Sequence, residues 1–207
     1  MRNLWGAESN FARFFEKVLD IIVLNFLTVL CSLPIITLGA SVSALYHTVR
    51  RMQRDEGSLY RGFFRAFKDN FKQATLLWLV VLGTGVMWGF TMFFYSASQI
   101  AFFRALNVLV LVFWVMAASW VFPLQAIYYN PVKTTLKNAV ICMVAYLPRS
   151  FLMAVINLVP VVFVLYLGLL GGLVFVGLLV WFALAADINL RILEKPLEQI
   201  ETNAKWN

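Results

Sequence analysis

Residues 150–186 read SFLMAVINLVPVVFVLYLGLLGGLVFVGLLVWFALAA, a run of 37 positions without a charged side chain. A helix needs about 20 consecutive apolar residues to cross the hydrocarbon core of a bilayer. The run is long enough for two such helices, with the expected tight turn at Gly168, Gly171 and Gly172. Gly168 and Gly172 also offer positions for close helix packing. The chain is therefore expected to be all-α, a polytopic transmembrane helical bundle.

The whole chain has the composition of a membrane protein. Hydrophobic residues make up 62% of it and charged residues only 13%, which is more apolar side chain than a soluble domain covers with polar surface. The formal net charge is +7, but the cations lie in short segments between apolar runs, as in cytoplasmic loops that face anionic lipid. Membrane lipid is thus an expected partner and nucleic acid is not. Cys31 and Cys142 lack metal-site spacing and are expected to be buried thiols.

The first apolar run covers residues 18–40 and is interrupted by Pro34. Proline removes a backbone hydrogen bond and pushes the preceding residue out of helical geometry, so a helix break is expected between Pro34 and Gly39. We favour a single kinked span that continues to about Arg51. A re-entrant hairpin is the alternative. Acidic residues before the run and further spans after it argue against a cleaved signal peptide.

An amphipathic helix is predicted for residues 59–72. Phenylalanines recur at four-residue spacing beside a stripe of cations, which is the pattern of a helix lying at the membrane interface. The side chains assigned to this lipid or partner interface are Phe63, Phe64, Phe67, Phe71, Arg61, Arg65, Lys68 and Lys72. The rings would either anchor the helix in lipid or form a docking surface for a partner protein.

Two further spans are predicted over residues 75–96 and 105–126. The first contains Gly85 and Gly89, whose four-residue spacing would let another helix approach closely. Residues 130–149 carry an apolar run too short to cross, which is expected to lie along the interface before turning inward.

These segments make about five spans in one domain, residues 1–190, with a cytoplasmic basic loop at 50–73 and a short cytoplasmic tail at 191–207. Thirteen Lys and Arg residues fall on the side of the basic loop and tail, and four fall on the other side. The positive-inside rule then places the carboxyl end inside and the amino end outside. If Pro34 instead makes a hairpin, the amino end with Arg13 and Lys17 stays inside.

No constellation for catalysis is present in the sequence. His47 is the single histidine, so the usual two-histidine zinc sites are absent. There is no G-x-S-x-G elbow and no phosphate-binding G-x-x-x-x-G-K-[ST] loop. We therefore expect no enzyme activity, cofactor or metal. Six polar residues lie within the spans and are expected to make helix-packing hydrogen bonds rather than to bind substrate: Asn25, Thr28, Thr84, Thr91, Ser119 and Asn157.

Three stretches resemble a known family. Residues 32–40 read SLPIITLGA, residues 44–46 read ALY, and residues 63–74 read FFRAFKDNFKQA. Together they are similar to the YesL-like family of small bacterial integral membrane proteins, which has no assigned biochemical activity.

The resemblance implies a multi-pass protein of a Gram-positive plasma membrane, whose relatives tend to be encoded beside carbohydrate ABC importers. The expected function is a non-catalytic accessory subunit that packs against permease subunits and stabilises or tunes sugar uptake. A small transporter acting as a homo-oligomer is the alternative, and a membrane sensor or an assembly factor is a further one.

Overall fold

A computed structural model describes residues 4–54, 59–96, 101–167 and 171–205. In this part of the chain every regular element is helical. A 3-10 turn, Ile35–Thr37, separates the first two helices. The α-helices are α1 (Leu4–Ser32), α2 (Leu38–Gln53), α3 (Leu59–Ser96), α4 (Ala101–Tyr128), α5 (Val132–Ala145), α6 (Leu147–Leu167) and α7 (Gly171–Lys205).

The helices α1 and α2 form an antiparallel hairpin. Lys17 and Ile21 of α1 line one small pocket together with Met52 and Gln53 of α2. The two residues of α1 lie more than 30 positions before the two residues of α2 in the sequence. The two helices can meet in this way only if the chain reverses between them. The expected single kinked span is therefore wrong, and the hairpin alternative describes the fold.

The reversal occurs at the predicted helix break. After Pro34, the Thr37 hydroxyl donates to the carbonyl oxygen of Cys31 at 2.6 Å, which gives a partner to a carbonyl group at the end of the broken helix. The same hydroxyl lies 2.7 Å from the Pro34 carbonyl oxygen, which also accepts the Thr37 backbone N–H. The Trp78 indole Nε1–H of α3 donates to the Ile35 carbonyl at 2.8 Å. The tip of the hairpin is thereby attached to the middle of α3.

The hairpin places Lys17 at the same end of the molecule as the basic segment. Lys17 and Gln53 lie at this end, where the Tyr60 hydroxyl at the start of α3 donates to Asp20 Oδ1 at 3.5 Å. Arg104 lies near the start of α4, at the opposite end of the α3–α4 pair. This is the arrangement expected for a hairpin at Pro34, which would keep the amino end inside, and the side of the membrane stays a prediction.

The amphipathic segment and the second predicted span are one helix. The 38 residues of α3 extend over about 57 Å at 1.5 Å per residue, so the expected separate interfacial helix is wrong. The helix α4 runs antiparallel beside it. Trp88 Nε1–H donates to the Asn107 carbonyl at 3.1 Å, and Trp114 Nε1–H donates to Thr84 Oγ1 at 2.9 Å.

Within the described residues, two helices are long and apolar enough to cross a membrane, over Leu59–Phe94 and Phe102–Tyr128. The helices Val132–Ala145 and Leu147–Pro160 are separated by a bend of 110° between their axes. They make a third candidate span only if this bent pair is counted as one span. The all-helical fold with two to three candidate spans fits a membrane protein. The expected count of five is not reached within the described residues.

The core consists of two apolar clusters. One contains Trp120, Met153 and Leu193, and the other contains Leu24 and Phe63, all at most 1% exposed. The outer surface is also apolar, since large side chains such as Phe93 and Met87 are 77% and 71% exposed. A surface of this kind is stable in lipid rather than in water. Cys31 is half-buried and Cys142 is buried, and both are free thiols.

Candidate functional site

A cavity of about 620 Å³ lies between α2, α3, α4, α6 and α7. Its volume is that of a site for a small molecule. Aromatic rings dominate the wall, and they come from four of these helices: Tyr46, Trp78, Trp114, Phe122, Trp181 and Phe182.

Prolines and alanines in the helices leave space for the cavity. Pro123 lies inside α4 and Pro160 inside α6, and both line the wall. A proline inside a helix removes one backbone hydrogen bond and bends the helix away from straight packing. Ala118 and Ala185 present only a methyl group at the wall. The surrounding helices therefore cannot close onto one another here.

One side of the cavity carries a chain of polar groups. Asn189 Nδ2–H donates to the Tyr46 hydroxyl at 2.8 Å and to Asn157 Oδ1 at 2.9 Å, and Asn157 Nδ2–H donates to Ser119 Oγ at 3.0 Å. The chain links α2, α7, α6 and α4. Two buried atoms close to it, Asn189 Oδ1 and Trp181 Nε1, have no protein partner. The cavity thus offers an apolar wall and one hydrogen-bond donor without a protein partner, the Trp181 Nε1–H. Among its described residues there is no nucleophile beside a base that could activate it.

A second buried polar network joins α2, α3, α4 and α5. Gln125 is fully buried and its Nε2–H donates to Asn70 Oδ1 at 2.8 Å, while its Oε1 accepts from Thr135 Oγ1–H at 2.7 Å. Asn70 Nδ2–H also donates to Ser43 Oγ at 3.0 Å. Buried amides whose hydrogen bonds are satisfied specify one packing arrangement. This network fixes how the hairpin sits on α3 and α4.

Asn70, Gln125 and Asn189 were missed in the sequence. Gln125 is an amide in an apolar stretch, and that isolation is a signal that would have found it. Asn70 and Asn189 have charged neighbours in the sequence, such as Asp69 and Asp187, and give no such signal. The polar residues that were singled out make hydrogen bonds within the protein, as predicted. Thr28 Oγ1–H donates to the Leu24 carbonyl, and the Ala183 N–H donates to Asn25 Oδ1 at 3.2 Å.

The predicted interface on residues 59–72 divides between core and surface. Phe63 is fully buried against the hairpin, so the prediction that it faces lipid or a partner is wrong. Phe67 is half-buried, and Phe64 and Phe71 are 51% and 37% exposed. Four-residue spacing advances a helical position by about 40° per step because one turn takes 3.6 residues. Phe63 and Phe71 therefore point in different directions.

The predicted cations remain on the surface. Arg61, Arg65, Lys68 and Lys72 are exposed. They flank the phenylalanines on the outer side of α3, so the cationic stripe lies where a lipid headgroup or a partner can reach it. The assignment of this stripe to a lipid or partner interface stays a prediction.

The predicted packing glycines behave differently from one another. A Cβ added at Gly85 would lie 2.9 Å from the Trp114 ring, so α4 packs closely on it, whereas Gly89 has no heavy atom within 4 Å of such a Cβ. The closest approach of another helix is at Gly39, where an added Cβ would lie 2.5 Å from Trp78 Cβ of α3. The surroundings of Gly168 and Gly172 lie outside the part of the chain whose side chains are described, so the close packing predicted there stays a prediction.

Comparison with known proteins gives one match. Residues 21–92 match the family described as "Protein of unknown function, DUF624". No curated protein matches and no solved structure matches. The matched segment contains most of the hairpin, with its break at Pro34 and Gly39, and nearly all of α3. Over the hairpin and α3, then, the chain is similar to an uncharacterised family.

Proposed function

We propose that the chain is a non-catalytic plasma-membrane subunit that packs beside the permease helices of a carbohydrate ABC importer and stabilises or tunes sugar uptake. The partner comes from the resemblance to the YesL-like family. A packing role, as distinct from a chemical one, is supported by the surface of α3.

The observation that carries the proposal is an open glycine face on the outer half of α3, by which we mean a surface about 120° wide that has Gly83 at one edge and Gly89 at the other. Gly83 and Gly89 have no heavy atom within 4 Å of an added Cβ, while Gly85 between them is covered by Trp114. Around the open glycines, Val86 is 57% exposed and Phe90 is 63% exposed. Glycines let two helix backbones approach closely in lipid, where packing contacts drive association. A permease helix could dock there without displacing α4.

The lining of the central cavity supports an accessory role rather than transport of the sugar by this chain itself. A sugar needs several hydrogen-bond partners, since burying hydroxyl groups without partners costs about 1–3 kcal/mol each. The wall offers Tyr46, Ser119 and Asn157, and these are already bonded to one another or to Asn189. The rest of the wall is largely apolar. Sugar would then pass through the permease.

Affinity purification of the tagged chain from its native membrane in mild detergent tests the proposal. We expect two permease subunits to co-elute in stoichiometric amount. The double variant G83L/G89L fills the open face and should lose the permease. The matched control V140L/V155L enlarges exposed side chains on α5 and α6 and should retain it. Elution of the wild-type chain without a permease would refute the proposal, and equal recovery by both double variants would refute the role of the glycine face.

A second candidate, a small transporter acting as a homo-oligomer, is favoured by the cavity itself, because about 620 Å³ of apolar space suits a small amphiphilic substrate. Flux of such a substrate through proteoliposomes containing only this chain would support it. Flux that needs an added permease would exclude it.

A further inference from the structure

A second pocket, of about 370 Å³, lies between the end of α2, the first half of α3 and the end of α4. Its wall is strongly cationic. The charged and aromatic side chains that form it are His47, Arg50, Arg51, Arg54, Arg65, Asp69 and Tyr129. Among the described residues of the wall, four guanidinium groups accompany one carboxylate.

Helix geometry brings these cations together. His47, Arg50, Arg51 and Arg54 have the spacing of one helix face, at i, i+3, i+4 and i+7. Arg65 and the adjacent turn of α3 complete the opposite wall. The cations therefore converge on one space from two helices, which the sequence spacing of α2 alone does not reveal.

Close packing holds one of these guanidinium groups in place. A Cβ added at Gly62 would lie 3.1 Å from Arg51 Nη1. Arg51 thus lies directly over the α3 backbone at a residue that has no side chain. A position fixed by packing reduces the entropy that an arginine loses when it binds a ligand.

Tyr129 forms part of the pocket at some conformational cost. Its φ is 49°, in the left-handed region that is unfavourable for a residue with a Cβ. Its N–H donates to the Gln125 carbonyl at 3.2 Å and ends α4, a position that glycine usually occupies. The tyrosine ring instead contacts His47 edge-on, with 6.1 Å between ring centroids. Strain of this kind concentrates at binding sites.

The phenol of Tyr129 can act as a hydrogen-bond donor. A tyrosine hydroxyl, with an ordinary pKa of about 10, is protonated at neutral pH, and burial, together with the negative charge of Asp69, raises the pKa of Tyr129 above its ordinary value. A protonated phenol beside several guanidinium groups is a donor set that suits an oxyanion.

We propose that this pocket binds a phosphate group. The planar guanidinium fork matches phosphate oxygens in two parallel hydrogen bonds, and a wall with this many charged groups does not suit an apolar ligand. It lies at the end of the molecule that carries the basic segment, where the headgroup of an anionic phospholipid and a soluble phosphate compound present the same chemistry.

The full chain in phosphatidylcholine nanodiscs tests the binding of soluble phosphate. Inorganic phosphate and pyrophosphate are titrated while thermal unfolding and heats of binding are measured. In a parallel arm, native mass spectrometry records which lipids the protein retains from a mixture of phosphatidylglycerol and phosphatidylcholine. Selective retention of phosphatidylglycerol identifies a lipid headgroup, and saturable binding of inorganic phosphate or pyrophosphate identifies a soluble compound. Either result supports the site, and the absence of both overturns it.

Charge-neutral variants test whether the pocket is responsible. The double variant R50Q/R65Q should weaken binding about tenfold or more, since each charge-assisted hydrogen bond is worth about 1.5–3 kcal/mol. The control K133Q/K137Q removes the same charge from exposed positions outside both the pocket and the cationic stripe of α3 and should change binding less than about threefold. Equal loss in both double variants would mean general surface charge and would overturn the proposal.

Two single variants keep the test valid if the double variant folds poorly. Arg54 lines the pocket but is exposed, so R54Q should weaken binding without affecting thermal unfolding. Y129G removes the ring and relieves the backbone strain, and it should fold at least as well as the wild type while binding more weakly. Wild-type binding by R54Q and Y129G would overturn the assignment.

Discussion

The contact between the hairpin and α3 depends on a glycine, and its replacement is the sharpest test of the fold. In Gly39→Ala the new methyl group would lie 2.5 Å from Trp78 Cβ and closer still to the Ala74 carbonyl oxygen. The latter is a backbone atom in the middle of α3 and cannot move aside on its own. The two helices must therefore separate.

Forcing an extra methyl group into a well-packed site costs about 1–3 kcal/mol. Alanine also favours helix by up to about 1 kcal/mol relative to glycine, which opposes this cost. Gly83→Ala is the matched control, because its methyl group meets no heavy atom within 4 Å and brings the same helix preference. The free energy of unfolding of the two variants should differ by about 1–3 kcal/mol, with Gly39→Ala the less stable.

The assay is unfolding of the detergent-solubilised chain, followed by tryptophan fluorescence because Trp78 lies at the contact. A distance measurement between spin labels on α2 and α3 should show the helices further apart in Gly39→Ala. Equal stability of the two alanine variants, with an unchanged distance, would refute the close contact of α2 with α3.

Three further predictions follow from the buried groups and the hairpin. Gln125→Leu leaves Asn70 Oδ1 buried without its donor and leaves the Thr135 hydroxyl with only the longer bond to the Asn130 carbonyl at 3.4 Å. It should destabilise the fold by about 2–4 kcal/mol in the same unfolding assay, and a loss below about 0.5 kcal/mol, the scale of an exposed substitution, would contradict the network. In Ala185→Leu the larger side chain extends into the cavity, so this variant should be tolerated. Ala183 is fully buried and packed in the core, so Ala183→Leu should lower the free energy of unfolding by about 1–3 kcal/mol. A larger loss of stability in Ala185→Leu than in Ala183→Leu would show that the cavity is absent. In a cysteine-free background, Lys17→Cys and Arg54→Cys should be labelled by an impermeant maleimide from the same side of the membrane and Arg104→Cys from the other, and labelling of position 17 together with position 104 would exclude the hairpin.

The break at Pro34 shows where local inference stops. Proline chemistry predicts that the helix ends there, and α1 does end at Ser32. Whether the chain continues onward or turns back depends on contacts with α3 and α7, such as Trp78 Nε1–H to the Ile35 carbonyl and the Ala183 N–H to Asn25 Oδ1. Those partners are distant in sequence, so the local pattern left both arrangements open.

The phenylalanine helix shows a second limit. Its amphipathic pattern was visible, and so were its exposed cations. Which ring enters the core depends on the rotation of α3 against the hairpin, and this places Phe63 inside and Phe64 outside. The cavity and the basic pocket were not predicted as sites because each is assembled from helices that meet only in the folded chain.

The amino-acid sequence by itself determined the solvent and the class of fold. Long uncharged runs are stable only in lipid, and a chain in lipid must satisfy its backbone within helices. The tertiary structure decided the direction of the chain after Pro34, the separation of packed from open glycines in α3 and the convergence of four arginines on one pocket. These features depend on how the helices rotate and pack against one another, and in a uniformly apolar chain hydrophobic periodicity carries little information about rotation, because both faces of a helix are apolar.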